Sequence, residues 1–275
     1  MRCLTPITIR LPVQDVNSKS SQVFNSVPCG KCIACLKRKR QEWICRLTEE
    51  TKDKTNKSCY FVTLTYDDSC IPIVDNDDGF LFTLVKSDFQ LFMKRFRKLV
   101  PICKFFAIGE YGGKTHRPHM HFICWLKDYF NPSQMDIVLS QSWKDGFHSC
   151  DVVNPARINY VTKYCITKPS DFVNQLVRLG AAPPFMLCSR GLGLNYVTVN
   201  ERLQSTSNVH YYTTQQKHKV SLPRYWRSKL FEPLHDGFVT SSVPDLKRER
   251  LLSDPELFKF YNKQFNKKLI KDEQI

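Results

Sequence analysis

The sequence predicts an α+β fold, a central antiparallel sheet with flanking helices, and three observations carry that prediction. Two stretches repeat apolar residues at the three-and-four spacing of an amphipathic helix: 36–52, with Trp43, Ile44 and Leu47, and 86–99, with Phe89, Phe92, Met93 and Phe96. Three runs, 59–66, 104–110 and 118–125, are rich in β-branched and aromatic residues and read as strands. The last two flank a loop containing Gly112 and Gly113, which is a hairpin signal. The order strand, helix, strand, strand, helix suits an antiparallel sheet with helices on one face.

Taken in order, residues 1 to about 36 form a cysteine-bearing segment, and a charged helix follows as far as Lys52. The 59–66 strand stops at Asp67-Asp68, and an acidic loop over 75–79 leads to the second helix, whose outer face carries Lys94, Arg95, Arg97 and Lys98. After the hairpin, 135–143 reads as a short helix. Asn154-Pro155 supplies an N-cap and a first-turn proline for the next helix, which is expected to end near Lys168 because Pro169 disfavours continuation. Pro183-Pro184, Gly191 and Gly193 mark irregular chain, 194–199 reads as a strand, and the last forty or so residues as charged and partly helical. The expected organisation is a Cys-rich segment with a basic helix over 1–50, a core over 51–170, and a C-terminal extension over 171–275, packed on or following the core.

A hydrophobic content of 42% is enough for a folded core. The excess of 41 Lys+Arg over 26 Asp+Glu, a net +15, favours an anionic partner, nucleic acid before membrane. No apolar run approaches the ~20 residues of a membrane span, and the first residues lack the apolar core of a secretory signal. Cysteines standing singly inside predicted elements (Cys59, Cys103, Cys124, Cys165) then read as reduced thiols in a cytoplasm. There is no G-x-x-x-x-G-K-[ST], so no ATP-driven motor is expected.

Three constellations point to chemistry. His119 and His121, two apart on a strand, project from one face, which suits two ligands on one metal ion. Glu110 ends the preceding strand and is expected across the hairpin from them, with His116 as the competing third ligand. Such N and O donors suit Mg²⁺ or Mn²⁺ presented to a phosphate, with Zn²⁺ still open. Tyr160 and Tyr164, four apart on a helix whose apolar stripe is Ile158, Val161 and Cys165, flank the core beside Arg157 and Lys168. They read either as half-buried packing or as nucleophiles; Lys163 and Lys168, placed to meet phosphate charge, favour the second.

The third constellation is Cys29-Gly30-Lys31-Cys32-Ile33-Ala34-Cys35, three thiols at two-residue gaps. With Cys3 as fourth ligand, and Cys45 behind it, this spacing suits structural Zn²⁺; unligated thiols are the alternative. The run Lys37-Arg38-Lys39-Arg40 is either a solvated face or a grip on phosphates.

The order Phe61-Val62-Thr63-Leu64-Thr65-Tyr66, Pro118-His119-Met120-His121-Phe122 and Tyr160-Val161-Thr162-Lys163-Tyr164 resembles the three motifs of HUH rolling-circle replication initiators. It is most similar to those of Microviridae single-stranded-DNA phages of the gokushovirus type, as are Val27 to Cys35 and Gly109-Glu110-Tyr111-Gly112. The resemblance spans roughly residues 1–170. It implies a ferredoxin/RRM-like core and a metal-dependent endonuclease and strand transferase acting on the viral origin in the cytoplasm of an infected bacterium. His119, His121 and Glu110 would hold Mg²⁺ or Mn²⁺. One tyrosine would nick single-stranded DNA, leaving a 5′-phosphotyrosyl bond and a 3′-hydroxyl for host polymerase, and the second would cut the regenerated origin so that the ends rejoin. The partners implied are single-stranded DNA, the viral double-stranded origin, and a host helicase and polymerase, with no membrane. The competing reading is a zinc-dependent nucleic-acid-binding protein without covalent chemistry.

Overall fold

Both faces of the central sheet are apolar, and that fact sets the architecture. The computed structural model describes residues 3–10, 24–76, 79–113, 115–164, 171–200 and 211–231. These fall into two compact units, one from Ile33–Glu232 and one from Arg2–Cys32.

In the larger unit a five-stranded antiparallel sheet runs β8 (Gly146–Val152), β3 (Ser58–Tyr66), β7 (Pro118–Leu126), β6 (Cys103–Tyr111), β9 (Phe185–Cys188). One face presents Tyr60, Val62, Leu64, Tyr66, Ala107, Met120, Phe122 and Cys124. Helix α2 (Lys86–Leu99) covers it with Phe89, Phe92, Met93 and Phe96, joined by Met135, Val138 and Leu139 of α3 (Pro132–Ser142). Burying each such aromatic or aliphatic side chain contributes about 1.5–3 kcal/mol before entropy is counted. The opposite face presents Phe106, Ile108, Ile123 and Trp125, covered by Trp43 and Leu47 of α1 (Ile33–Lys52) and Ile158 and Val161 of α4 (Pro155–Lys163). Helices therefore lie on both faces rather than one, because the period-two alternation of β6 and β7 leaves apolar residues on each side that must leave water.

The local signals for these helices are plain. Asn131 and Gln134 close a reciprocal capping box at the start of α3, and the Asn154 side chain accepts from Arg157 N at the start of α4 with Pro155 behind it. Helix α4 ends at Lys163 with Tyr164 as its C-cap, earlier than the expected end at Lys168, which lies outside the described residues, as does Cys165. The acidic stretch after Ile73 belongs to a hairpin, β4 (Ile73–Asn76) with β5 (Gly79–Phe82).

Residues 195–200 are helical, not a strand. Their β-branched composition is overridden by tertiary contacts: Val197 N donates to Leu194 O at 2.9 Å, and Val197 is buried with Tyr212 and Trp226. That cluster also takes residues from β10 (Tyr211–Thr213), β11 (Lys219–Ser221) and α6 (Arg224–Leu230). Helix α5 (Asp171–Arg178) packs Val173 and Leu176 with Leu84 and Tyr111. No helix of the described residues is long and apolar enough to cross a membrane. The smaller unit contains the hairpin β1 (Ile7–Arg10) with β2 (Phe24–Val27) and the thiols around it. The charged C-terminal stretch expected to be partly helical lies outside the described residues.

Candidate active site

The register of the sheet brings the site together. Glu110 on β6 is the cross-strand partner of His119 on β7, and His121 is flanked by Ile108 on one side and Thr63 of β3 on the other. Partners in an antiparallel ladder project to the same face, so Glu110, His119, His121 and Thr63 share the face that α1 and α4 cover. Gly109 makes room at this edge: a Cβ there would stand 2.5 Å from the Phe185 ring of β9. Glu110 and His121 are buried and His119 nearly so.

One oxygen collects the donors. Glu110 Oε1 lies 3.1 Å from His119 Nε2 and 3.0 Å from His121 Nε2. The far nitrogens are held from behind: His119 Nδ1 lies 2.9 Å from the Arg117 carbonyl and His121 Nδ1 2.8 Å from Thr63 Oγ1. A carbonyl can only accept, so neutral His119 carries its proton on Nδ1 and offers the Nε2 lone pair inward. Phe61 stacks on the His121 ring, with centroids 5.5 Å apart. Burial pushes the Glu110 carboxyl up, yet hydrogen bonds from His119, His121 and Tyr164 outweigh it and hold the group down at about 2. Burial likewise pushes His119 down, but its bond to Glu110 raises it overall; in His121 burial wins and the imidazole is lowered.

These three side chains fit a divalent cation. Their ligand atoms all lie within 4.8 Å of one another. Two donors about 2.1 Å from one octahedral ion, at right angles, stand about 3 Å apart, which matches the separations from Glu110 Oε1. Both imidazoles have the supporting hydrogen bond that metal-binding histidines use. His116, the alternative third ligand, is not in this group; it sits in the hairpin loop with φ of 52°.

Helix α4 lays the tyrosines over this cluster. The Tyr160 hydroxyl is 3.2 Å from Glu110 Oε1 and 3.2 Å from His121 Nε2, and the Tyr164 hydroxyl is 3.1 Å from that of Tyr160. Burial, then the Glu110 charge, pushes the Tyr160 phenol up to about 12, and the same causes raise Tyr164. Lys163 is half-buried in the last turn of α4.

The basic residues are dispersed. Lys37, Arg38, Lys39 and Arg40 lie in α1, only Lys39 being fully exposed, and Arg40 Nη2 bonds the Asn159 carbonyl of α4 at 3.2 Å. Arg157 is paired with Asp151 at 2.8 Å and lies over the Phe61 ring. In the smaller unit Cys3 Sγ is 3.7 Å from Cys32 Sγ, and Cys29 Sγ accepts from the backbone nitrogens of Lys31 and Cys32. A hydrogen bond from Thr5, then those two amides, lowers the Cys29 thiol to about 5, the thiolate state a soft metal needs. Cys35 stands in the first turn of α1, in the other unit. Sequence reading gave no role to Thr63; its place beside His121 follows only from strand register.

A family model for replication-associated proteins of the ORF2 type matches residues 59–169, a span holding Glu110, both histidines and both tyrosines but not the N-terminal thiols. Replication-associated protein ORF2 of Spiroplasma virus 4 is 29% identical over 255 residues, covering 86% of this chain and 77% of its own length. That similarity reaches beyond the 1–170 stretch on which the motifs lie. Replication-associated protein ORF4 of Chlamydia phage 1 is 27% identical over 158 residues, 50% of this chain and 37% of that protein. Replication-associated protein VP4 of Bdellovibrio phage phiMH2K is 29% identical over 141 residues, 45% of this chain and 41% of that one. No solved structure matches. Motif order, family match and relatives together support a replication initiator of the Microviridae type.

Proposed function

We propose that this chain is the origin-nicking and rejoining enzyme of rolling-circle replication in a single-stranded-DNA phage, acting in the infected host's cytoplasm. A single observation carries the reading: the Tyr160 hydroxyl lies 3.2 Å from two of the three side chains that would hold a divalent ion. A phenol so placed reaches a phosphate drawn to that ion, which is the geometry nucleophilic attack requires. Glu110, His119 and His121 hold Mg²⁺ or Mn²⁺, which when bound neutralises and orients the scissile phosphate.

The residues do the rest. Tyr160 or Tyr164 Oη gives up its proton and bonds to phosphorus while the P–O3′ bond breaks. The departing oxygen takes a proton and becomes the free 3′-hydroxyl, and the 5′-phosphate stays on the tyrosine. Rejoining is the reverse attack by a 3′-hydroxyl. One phosphodiester is exchanged for another at each step, so no ATP is consumed. Lys163 meets the developing phosphate charge, Arg157, Lys168 and the Lys37–Arg40 run contact the DNA backbone, and the 51–170 segment holds the chemistry. Cys3, Cys29 and Cys32, with Cys35 as the fourth ligand by spacing, take structural Zn²⁺. The protein works with the viral origin and a host helicase and polymerase.

The test is a denaturing gel of labelled single-stranded oligonucleotides tiled across the phage origin, incubated with the protein and Mn²⁺. A covalent protein–DNA band is expected from wild type and from neither EDTA-treated protein nor the Tyr160→Phe plus Tyr164→Phe variant. An adduct that survives the double substitution refutes the tyrosine assignment. Free 5′-phosphates with no adduct indicate activated water instead.

A further inference from the structure

One exposed aromatic ring lies in register with the candidate metal ligands. Phe147 on β8 is the cross-strand partner of Thr65, Thr65 is the partner of His119, and His119 of Glu110. Partners share a face, so these four side chains form one row across four strands, and Phe147 is two strand spacings, about 10 Å, from the His119 backbone. The ring is 65% exposed and belongs to no core cluster of the described residues. Its position is set firmly by Gly146, where a Cβ would strike Thr65 O and Asp67 N at 2.3 Å, so the chain enters β8 tight against β3.

Single exposed apolar residues are ordinary; the surroundings set Phe147 apart. Between it and the triad lie only Thr65, Thr63 and Ser149, small polar residues that leave a shallow open shelf beside His121 and Tyr160. The acids near this shelf are each engaged by an arginine: Asp68 by Arg117, Asp145 by Arg95 and Asp151 by Arg157. In a chain of net charge +15 they therefore do not repel a polyanion locally.

We propose that the β8–β3 shelf is the track of the single-stranded DNA and that Phe147 stacks a base flanking the scissile phosphate. An aromatic ring on an open sheet beside small polar residues is how sheet surfaces bind unpaired bases, since every base offers a π-face. The assignment rests on the nucleic-acid substrate of the proposed function but not on the tyrosine chemistry.

The experiment measures anisotropy of a fluorescein-labelled oligothymidylate with the full chain. Phe147→Ala is expected to weaken binding by about 5- to 100-fold, the range for losing one stacked base. Phe147→Trp restores binding, Phe147→Leu stays as weak as alanine, and Tyr129→Ala, a comparably exposed aromatic outside the row, binds as wild type. Alanine or leucine variants that bind like wild type overturn the proposal. Should Phe147→Ala fail to fold, photocrosslinking of wild type to an iodouracil-containing oligonucleotide decides: attachment at Phe147 supports the platform, and attachment only off β8 removes it. Phe147 dependence without any adduct from wild type sinks the nicking reading alone, whereas an adduct without Phe147 dependence sinks the platform alone.

Discussion

Glu50 and Glu110 are both buried carboxylates, met at opposite ends of the same strand, yet they are satisfied in different ways. Glu50 accepts from Lys104 Nζ at 2.9 Å on each oxygen, from Gly193 N at 2.8 Å and from Asn56 Nδ2 at 3.3 Å. A permanent cation and a backbone amide complete it. Glu110 instead accepts from two imidazoles and a phenol, all able to give up their protons. One carboxylate is closed by fixed charge and ties α1 to the sheet. The other is held by exchangeable partners that a divalent ion can replace. A buried acid is thus a site or a strut according to who neutralises it.

The largest expected effect separates these two roles. Glu50→Ala leaves Lys104 without its partner in the protein interior and should cost about 3 kcal/mol of unfolding free energy in urea titration. That is the low end for breaking a buried pair, because the Lys104 side chain is 32% exposed and can rehydrate in part. Glu110→Gln should cost under about 1 kcal/mol, since an amide still hydrogen-bonds the imidazoles, while adduct formation with Mn²⁺ disappears. Equal destabilisation by both changes would erase the distinction.

Metal should act at only one end of β6. At a hundredfold excess of Mn²⁺ over its dissociation constant, the folded state gains about 2.7 kcal/mol, read as a rise in melting temperature. Glu50→Ala should show the same rise from a lower baseline, and Glu110→Gln none. A rise in Glu110→Gln would place the ion elsewhere.

The pH dependence follows from the shifted groups. In metal-free protein, the Glu110 carboxyl lies below its ordinary value, so its contribution to stability is present above pH 4.5 and lost as pH falls toward about 2. His119 is raised, so its contribution is present below pH 6.5 and lost as pH rises through its elevated value; lowered His121 has the opposite sign. Divalent ions compete with those imidazole protons. Mn²⁺ affinity should therefore rise with pH through the imidazole range, by at most about tenfold per pH unit for each proton released, and then level off. Calorimetry in buffers of different ionisation enthalpy measures the proton count, and a flat profile would exclude imidazole ligands.

Much of this was legible in the residues, for physical reasons that differ by element. Helix α2 begins and ends at the predicted residues because Phe89, Phe92, Met93 and Phe96 leave only one way to turn its apolar side inward. The pairing of Glu110 with His119 follows from a short hairpin loop. Strand β8 escaped notice because its residues, Phe147 to Val152, are mostly solvent-facing and carry no apolar alternation. The second helical layer was hidden because Phe106, Ile108, Ile123 and Trp125 read as strand propensity rather than as a second buried face. Residues 195–200 carry β-branched side chains in a helix, a case where packing on Trp226 outweighs propensity.

Thr63 is the subtlest of these, since three strands must be in register before its neighbour can be known. Its hydroxyl lies 2.8 Å from His121 Nδ1 and its strand partner is His121 itself. Thr63→Val keeps the shape and removes the oxygen, so the His121 ring loses the bond that fixes which nitrogen faces the ion. Supporting bonds of this kind are worth roughly 10- to 100-fold in metal affinity, and we expect the tenfold end because Phe61 still stacks on the ring and limits its rotation. Stability should change by about 1 kcal/mol or less, as for one partly exposed hydrogen bond. If Thr63→Val binds Mn²⁺ as tightly as wild type, stacking alone orients His121, and the difference between the two ends of β6 lies wholly in Glu110 and the imidazoles.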